Sequence, residues 1–360
     1  MAKDDFFILN KFVTAEIDAR VEKFLKQKVA QAGKIDPLFQ SLLEETERVA
    51  RLGGKRLRPT LAVVGYRAAG GKNDDLVLDA AVALELLHVF MCVHDDIMDR
   101  DDQRHGGLNI TGRYKEILNG LEDKSERTHV SQSMSLLAGD LLLTFVYEVI
   151  GMLGVSAETR LQLMERVHTT CFDTVGGQQL DVLYPFEGEL SVERLLRIPY
   201  HKTSIYTFVS PLLFGAMLAG GVNSRVYDSL YKYGEKLGIT FQIIDDILGI
   251  FGASETTGKS TISDIRDNKP TILRHYAFEL SNAAQLEVLR SSFGKVSASN
   301  NDLAAVKKAM TENGARSRAY ELAEDYATQA KSAITSLKAD APLQHAQLVA
   351  LADFCLTRDH

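Results

Sequence analysis

The sequence predicts an all-α fold, a single large helical bundle over residues 1–360, and three observations carry that expectation. Only 7 prolines interrupt 360 residues, so long helices can run unbroken. Apolar residues recur at helical steps almost everywhere, as in Ala319, Leu322, Ala323, Tyr326, Ala327 and Ala330. Apolar–polar alternation bounded by turn residues, the mark of strands, is hard to find.

The chain begins with an acidic stretch, MAKDDFFILNKF, without the apolar core of a signal peptide, and residues 1–30 are expected as a mobile N-terminal arm. Helical spacing sets in at Leu42-Leu43-Glu44, and Pro59 is placed to open a further helix. Gly70-Gly71-Lys72-Asn73 marks a loop, and the run from Ala80 to Val93 is strongly helical. Further loops are expected from Asn119 to Ser125, at Glu187-Gly188 and from Ser297 to Asp302. Leu161 to Val167, Tyr231 to Ile244 and Ala319 to Ile334 read as helices. From Thr203 to Ser224 there is no charge, a length sufficient to span a bilayer. Pro211, Gly215, Gly220, Gly221 and several hydroxyl residues dilute it, so it reads as a buried central helix and no transmembrane segment is expected.

Composition narrows the function. Apolar residues make up 45% and charged residues 25%, ordinary for a globular chain with a sizeable core. Lys plus Arg number 41 against 48 Asp plus Glu, a net charge of −7, with no basic stripe of the kind that binds nucleic acid. An acidic chain that takes an acidic substrate needs local cationic clusters or metal ions. Cys92, Cys171 and Cys355 are too few and too scattered for a disulfide framework, and a reducing cytoplasmic location is expected.

Two clusters carry chemistry. His94-Asp95-Asp96-Ile97-Met98-Asp99 ends the first strongly helical run. At about 100° per residue, Asp95 and Asp99 share a face with His88 and Cys92 below them. Carboxylates four residues apart repel and weaken a helix. Shared divalent cations remove that repulsion, and oxygen ligands suit Mg²⁺. Phe241-Gln242-Ile243-Ile244-Asp245-Asp246-Ile247-Leu248-Gly249 likewise ends an apolar helix. Two such pairs facing each other in a bundle form a metal site. Cations surround them in sequence: Lys55, Arg56 and Arg58 beside Gly53-Gly54, then Arg100 and Arg104, then Lys202, then Lys259 and Lys269. Cations grouped beside metal-binding carboxylates indicate a phosphate ester bound as its metal complex.

These segments, in this order, identify a resemblance. From roughly Leu42 to Leu337 the chain resembles the trans-type isoprenyl diphosphate synthases (polyprenyl synthases) of the short-chain type. GGKRLRP, DDIMD followed by RHG, GQQLD (Gly177 to Asp181), Lys202-Thr203 and FQIIDDILG look like the family's motifs, with Lys259, Asp264 and Lys269 downstream. The resemblance implies helices around a central cavity, a homodimer, and condensation of isopentenyl diphosphate with an allylic diphosphate. It implies three Mg²⁺ ions between that allylic diphosphate and Asp95, Asp99 and Asp245, with Arg104, Lys202 and Lys259 holding the same group. Thr203, Gln242 and the Lys202 backbone would shield the carbocation. Lys55, Arg58 and His88 would hold isopentenyl diphosphate, and Lys269 lies among the downstream cations.

The chain departs from the pattern twice. His105 stands where the family carries a second Arg, so its contact with isopentenyl diphosphate is expected to be weaker and pH-dependent. Gly249 stands where a third Asp is common. Phe90 and Met91 lie five and four residues before Asp95; an aromatic at the fifth position alone, with no insertion in DDIMD, looks like the pattern for a twenty-carbon product. Geranylgeranyl diphosphate is therefore expected, with farnesyl diphosphate as the alternative. A class I terpene cyclase has no need of GGKRLRP, and a non-catalytic partner subunit tends to lose its aspartates. A phosphate-binding loop at Gly252 to Ser260 fails on spacing, with five residues where four are required.

Overall fold

The computed structural model describes residues 2–221, 225–252 and 263–358. Its α-helices are α1 (Ala2–Ala32), α2 (Pro37–Ala50), α3 (Leu57–Ala68), α4 (Asp74–Met98), α5 (Ile110–Ile117), α6 (Lys124–Met152), α7 (Ala157–Leu183), α8 (Val192–Leu195), α9 (Ser210–Leu218) and α10 (Arg225–Phe251). They continue as α11 (Ser263–Arg266), α12 (Ile272–Glu279), α13 (Ala283–Ser292), α14 (Asn300–Glu312), α15 (Ala315–Ala333), α16 (Leu337–Asp340) and α17 (Pro342–Thr357). Caps explain several boundaries. Asp36 accepts the Leu38 amide with Pro37 at the first turn of α2, and Asn73 accepts the Leu76 amide to start α4. Ser299 and Asp302 form a reciprocal capping box at α14, inside the segment read as a loop.

Three features differ from expectation. The N-terminal stretch, read as an arm, is helix α1, whose Phe6, Val13, Ile17 and Leu25 are buried against the bundle. The uncharged segment is buried from Thr203 to Leu218, but its start belongs to a π-helix, Pro199–Val209, that continues into α9. Wide turns of this kind concentrate at functional sites, and this one carries Lys202 and Thr203. A small antiparallel hairpin, β1 (Gln103–Arg104) and β2 (Gly107–Leu108), follows α4. His105 and Gly106 form its two-residue loop, both with positive φ (51° and 77°), the geometry that suits the strand twist.

The core falls into two clusters. The larger joins α1, α3, α4, α6, α9 and α17 around Leu86, Leu142, Phe208 and Phe214. The smaller joins the second half of α10 to α12, α14 and α15 around Ile243, Ile265 and Leu273. Each large side chain buried there contributes about 1.5–3 kcal/mol. Among the described residues two helices, α4 and α6, are long and apolar enough to cross a membrane, and both pack into the larger cluster. Close backbone approach positions the site. A Cβ at Gly177 would meet the Lys202 backbone, and one at Gly238 would overlap Ser204, so α7 and α10 lie directly against the π-helix.

Candidate active site

Both aspartate pairs sit near the C-terminal ends of long helices whose last turns carry no basic residue. A helix C-terminus is the negative end of its dipole, so these carboxylates gather at an already negative place. Cations from other elements answer them. Lys202 Nζ donates to Asp181 Oδ2 at 2.6 Å and to Asp95 Oδ1 at 3.5 Å. Gln178 Nε2 donates to Asp95 Oδ1 at 3.0 Å. The GQQLD segment therefore both packs α7 on the π-helix and lines the site. Burial opposes the charge of Lys202, but Asp181 and Asp95 outweigh it and raise its pKa.

Asp96 is turned inward. It is 3% exposed, and Arg104 donates to its Oδ1 from Nε at 2.9 Å and Nη2 at 2.6 Å. Arg104 Nη2 also lies 3.8 Å from Asp95 Oδ2. Burial pushes the Asp96 carboxyl up, while the Arg104 hydrogen bonds pull it back. Arg104, expected on the allylic diphosphate, is thus first of all bound to the motif itself.

The second pair is reached through residue 203. Thr203 Oγ1 donates to Gln242 Oε1 at 2.7 Å, and Gln242 Nε2 donates to Asp246 Oδ1 at 2.9 Å. Burial pushes the Asp246 carboxyl well above the usual carboxylate range. Asp245 is held by Arg358, whose Nη2 lies 2.5 Å from its Oδ1 and 2.7 Å from the Phe241 carbonyl oxygen. The Arg358 guanidinium also stacks on the Phe241 ring at 3.7 Å. The sequence reading missed this residue; an arginine just past the last apolar helix is too weak a signal.

Lys269 closes the site. Its Nζ lies 3.5 Å from Asp264 Oδ1. Burial opposes its charge, yet Asp264, Asp181, Asp99 and Asp246 raise its pKa, so carboxylates of both motifs act on one ammonium. A Cβ at residue 249 would overlap Asp264 Oδ2, so the Asp264 carboxylate takes the space a third aspartate would enter. Lys259 lies outside the described residues.

The remaining cations form a second group. Lys55 is exposed, with its Nζ 5.9 Å from the Phe354 ring. Arg58 Nη2 donates to Thr207 Oγ1 at 2.8 Å, and its guanidinium stacks on Tyr206 at 4.1 Å. The Tyr206 hydroxyl lies 2.6 Å from His88 Nδ1. Burial, then Arg58, Arg104, Arg56 and His105, push the His88 pKa well down, so its imidazole is neutral. Tyr206 was also missed; it lies three residues past Thr203 on the same π-helix.

Among the described residues no three His, Cys, Asp or Glu side chains form a metal cluster unaided. The donor set nevertheless fits Mg²⁺, which keeps waters and takes one or two carboxylates plus substrate phosphates. Asp95, Asp99 and Asp245 would supply hard oxygens, and Lys202 and Arg358 now bond to two of them.

Facing helix ends rich in aspartate and ringed by lysine and arginine define a class of helical site that handles a polyanion together with cations. The chain belongs to the polyprenyl synthetase family, whose model matches residues 39–310, and it is a short-chain prenyl diphosphate synthase. It is 30% identical over 321 residues to a geranylgeranyl diphosphate synthase from Methanosarcina mazei, covering 89% of this chain and 91% of that one. It is also 30% identical over 279 residues to a (2E,6E)-farnesyl diphosphate synthase from Mycobacterium tuberculosis, covering 77% and 72%. The crystal structure of a geranylgeranyl pyrophosphate synthase from Corynebacterium glutamicum, complexed with isoprenyl diphosphate and magnesium, superposes with a TM-score of 0.89. That protein is 30% identical, and the alignment covers 97% of this chain and 99% of it.

Proposed function

We propose that this enzyme condenses isopentenyl diphosphate with allylic diphosphates, head to tail and with Mg²⁺, up to geranylgeranyl diphosphate. One observation carries the reading: adjacent residues of the π-helix join the two motifs, Lys202 reaching Asp95 and Thr203 reaching Asp246 through Gln242. Asp95, Asp99 and Asp245 would hold the magnesium, three ions in the family's pattern. Magnesium bound there would neutralise the charge that grows on the departing diphosphate. Lys202, Arg104, Lys269 and Lys259 hold that diphosphate. Thr203 and Gln242 present oxygens to the carbocation. Lys55, Arg58, His88 and His105 hold isopentenyl diphosphate, whose double bond attacks the cation; the proton lost goes to the departing diphosphate.

Product length follows from α4. One helical turn is about 5.4 Å, close to the reach of an isoprene unit, so residues a turn below Asp95 set the floor. Met91 is partly buried against the larger core cluster, and its flexible chain can yield space. Phe90 is buried, its ring edge-on to His94 at 4.8 Å, on the side that packs against α6. That leaves Met91 as the smaller obstruction and favours the twenty-carbon product over farnesyl diphosphate. Mass spectrometry of products from isopentenyl plus farnesyl diphosphate with Mg²⁺ tests this. A twenty-carbon product is expected. Its absence, with shorter products still formed from shorter primers, overturns the length assignment; no product from any primer overturns the function.

A homodimer is part of the same reading. The apolar side chains Leu136 and Leu137 on α6, and Phe172, Val175 and Val182 on α7, are exposed, and a second copy seated on them would cover them. Light scattering should give twice the chain mass, and Phe172→Glu with Val175→Glu should lower it; a wild-type monomer would refute the assembly.

A further inference from the structure

Arg56 stands between the two cations assigned to isopentenyl diphosphate, yet its side chain is only 4% exposed. Its backbone is left-handed, φ 40°, a strained place for a residue with a Cβ. The guanidinium forks to four parts of the fold. Nη1 donates to Glu85 Oε1 on α4 at 2.6 Å and to the Gly53 carbonyl at 3.4 Å. Nε donates to Asp18 Oδ1 on α1 at 2.7 Å, and Nη2 to the Ala50 carbonyl at the end of α2 at 2.9 Å. The planar arginine fork suits such a junction, where lysine could satisfy only part of it.

Glu85 lies ten residues before Asp95 on α4 and is 1% exposed. Its Oε2 has no hydrogen-bond partner among the described residues, and neither has Arg58 Nε. Burial pushes the Glu85 carboxyl up, while Arg56 and Arg58 pull it back. A buried carboxylate with an unmet oxygen is costly, and replacing a whole buried ion pair by apolar residues is often no less stable. Neither the metal-binding carboxylates nor the substrate cations account for it.

We infer that Glu85 is a positioning residue for the isopentenyl diphosphate subsite: through Arg56 it pins the GGKRLRP turn so that Lys55 and Arg58 flank one diphosphate. This rests on the reading of Lys55 and Arg58 given above. Helix α1 takes part through Asp18, and its Asn10 braces the Lys55 carbonyl at 2.8 Å. Two effects of removing the Glu85 charge have opposite signs. Less negative charge beneath Arg58 would by itself tighten a diphosphate, whereas loss of the pin loosens it.

Glu85→Gln keeps the shape and can still accept from Arg56, but without charge assistance. Steady-state kinetics would vary isopentenyl diphosphate at saturating farnesyl diphosphate, and then the reverse. The expected result is a KM for isopentenyl diphosphate raised about tenfold, the size of one charge-assisted hydrogen bond. kcat and the KM for farnesyl diphosphate should stay within about twofold, a split that general loosening of the fold would not produce. Arg56→Lys should raise the same KM, and it decides the question if Glu85→Gln does not fold. An unchanged or lowered KM overturns the inference. Lys55→Ala separates the failures. If it raises the KM while Glu85→Gln does not, the positioning role alone falls. If neither variant moves the KM, the subsite reading falls with it. If only Glu85→Gln moves it, the pin acts on nothing and the inference is again overturned.

Discussion

Asp95 and Asp245 each open an aspartate pair near the end of a long helix, but the partners seen among the described residues come from different places. Around Asp95 they belong to the bundle itself: Lys202 on the π-helix, Gln178 on α7 and Arg104 on the hairpin. Around Asp245 an arginine reaches in from beyond the last helix, Arg358. The partners of the first aspartate are fixed by helix packing. Arg358 is the C-cap of α17, and its buried side chain bonds Asp245, the Phe241 carbonyl and the Phe241 ring. Within each pair the second aspartate is the inner one, Asp96 tied to Arg104 and Asp246 to Gln242. A metal delivered with substrate would thus meet a caged carboxylate on one side and a strapped one on the other.

The largest expected effect tests what the two sides share. Asp95→Ala and Asp245→Ala should each lower kcat/KM by on the order of 10³-fold at saturating Mg²⁺, because each removes a ligand that answers the leaving diphosphate. Circular dichroism should remain that of the wild type. Near-normal turnover by either variant would remove that carboxylate from the metal site.

Next comes the inner aspartate. Asp246→Asn should cost only about tenfold, since an amide can still bond Gln242, while Asp245→Asn should approach the alanine variant. Equal losses from the two asparagine variants would mean that both carboxylates meet the metal and that the inner–outer division is wrong.

These distinctions mark where sequence reading stops. Both Asp pairs, the cations beside them and the helices that carry them were legible, because period and composition are local properties. Which aspartate of a pair faces inward was not, since it depends on where Arg104 and Gln242 arrive. Arg358 lies 113 residues from Asp245, and no local pattern joins them. The π-helix was read as an ordinary helix because its apolar content is the same. The packed helix α1 was not legible over residues 1–30, because the acidic start masks the buried stripe of Phe6, Val13 and Ile17. Gly249, a departure in sequence, is explained only by the Asp264 carboxylate beside it.

A smaller effect tests the strap. Arg358→Ala removes a guanidinium that shares Asp245 with any incoming cation. Mn²⁺ titration without substrate, followed by electron paramagnetic resonance, should show binding tightened about threefold to tenfold. Hydrogen exchange in residues 342–358 should quicken, because the ion pair, the Phe241 carbonyl bond and the ring stack are lost together. Unchanged Mn²⁺ affinity would show that the strap does not compete with the metal.

The smallest effect belongs to the hairpin that follows the first motif. His105 is exposed in a left-handed turn position that arginine can occupy at modest cost, and its charge contributes to the field at His88. His88 itself is held neutral by burial and by Arg58, Arg104 and Arg56. Its depressed pKa means it takes up no proton until well below the usual imidazole range, so it adds no inflection to substrate binding between about pH 6 and 8. The exposed imidazole of His105 is the group that the following variant tests in that window. Protonation adds a positive charge near a diphosphate, so the KM for isopentenyl diphosphate should rise as pH increases through the window. His105→Arg keeps the charge at every pH. It should lower that KM about threefold near pH 8, leave it nearly unchanged near pH 6, and flatten the profile between them. His88→Gln should shift the whole profile upward without changing its slope. A wild-type profile already flat, or one that His105→Arg leaves as steep, would place His105 outside the subsite and return the inflection to some other group.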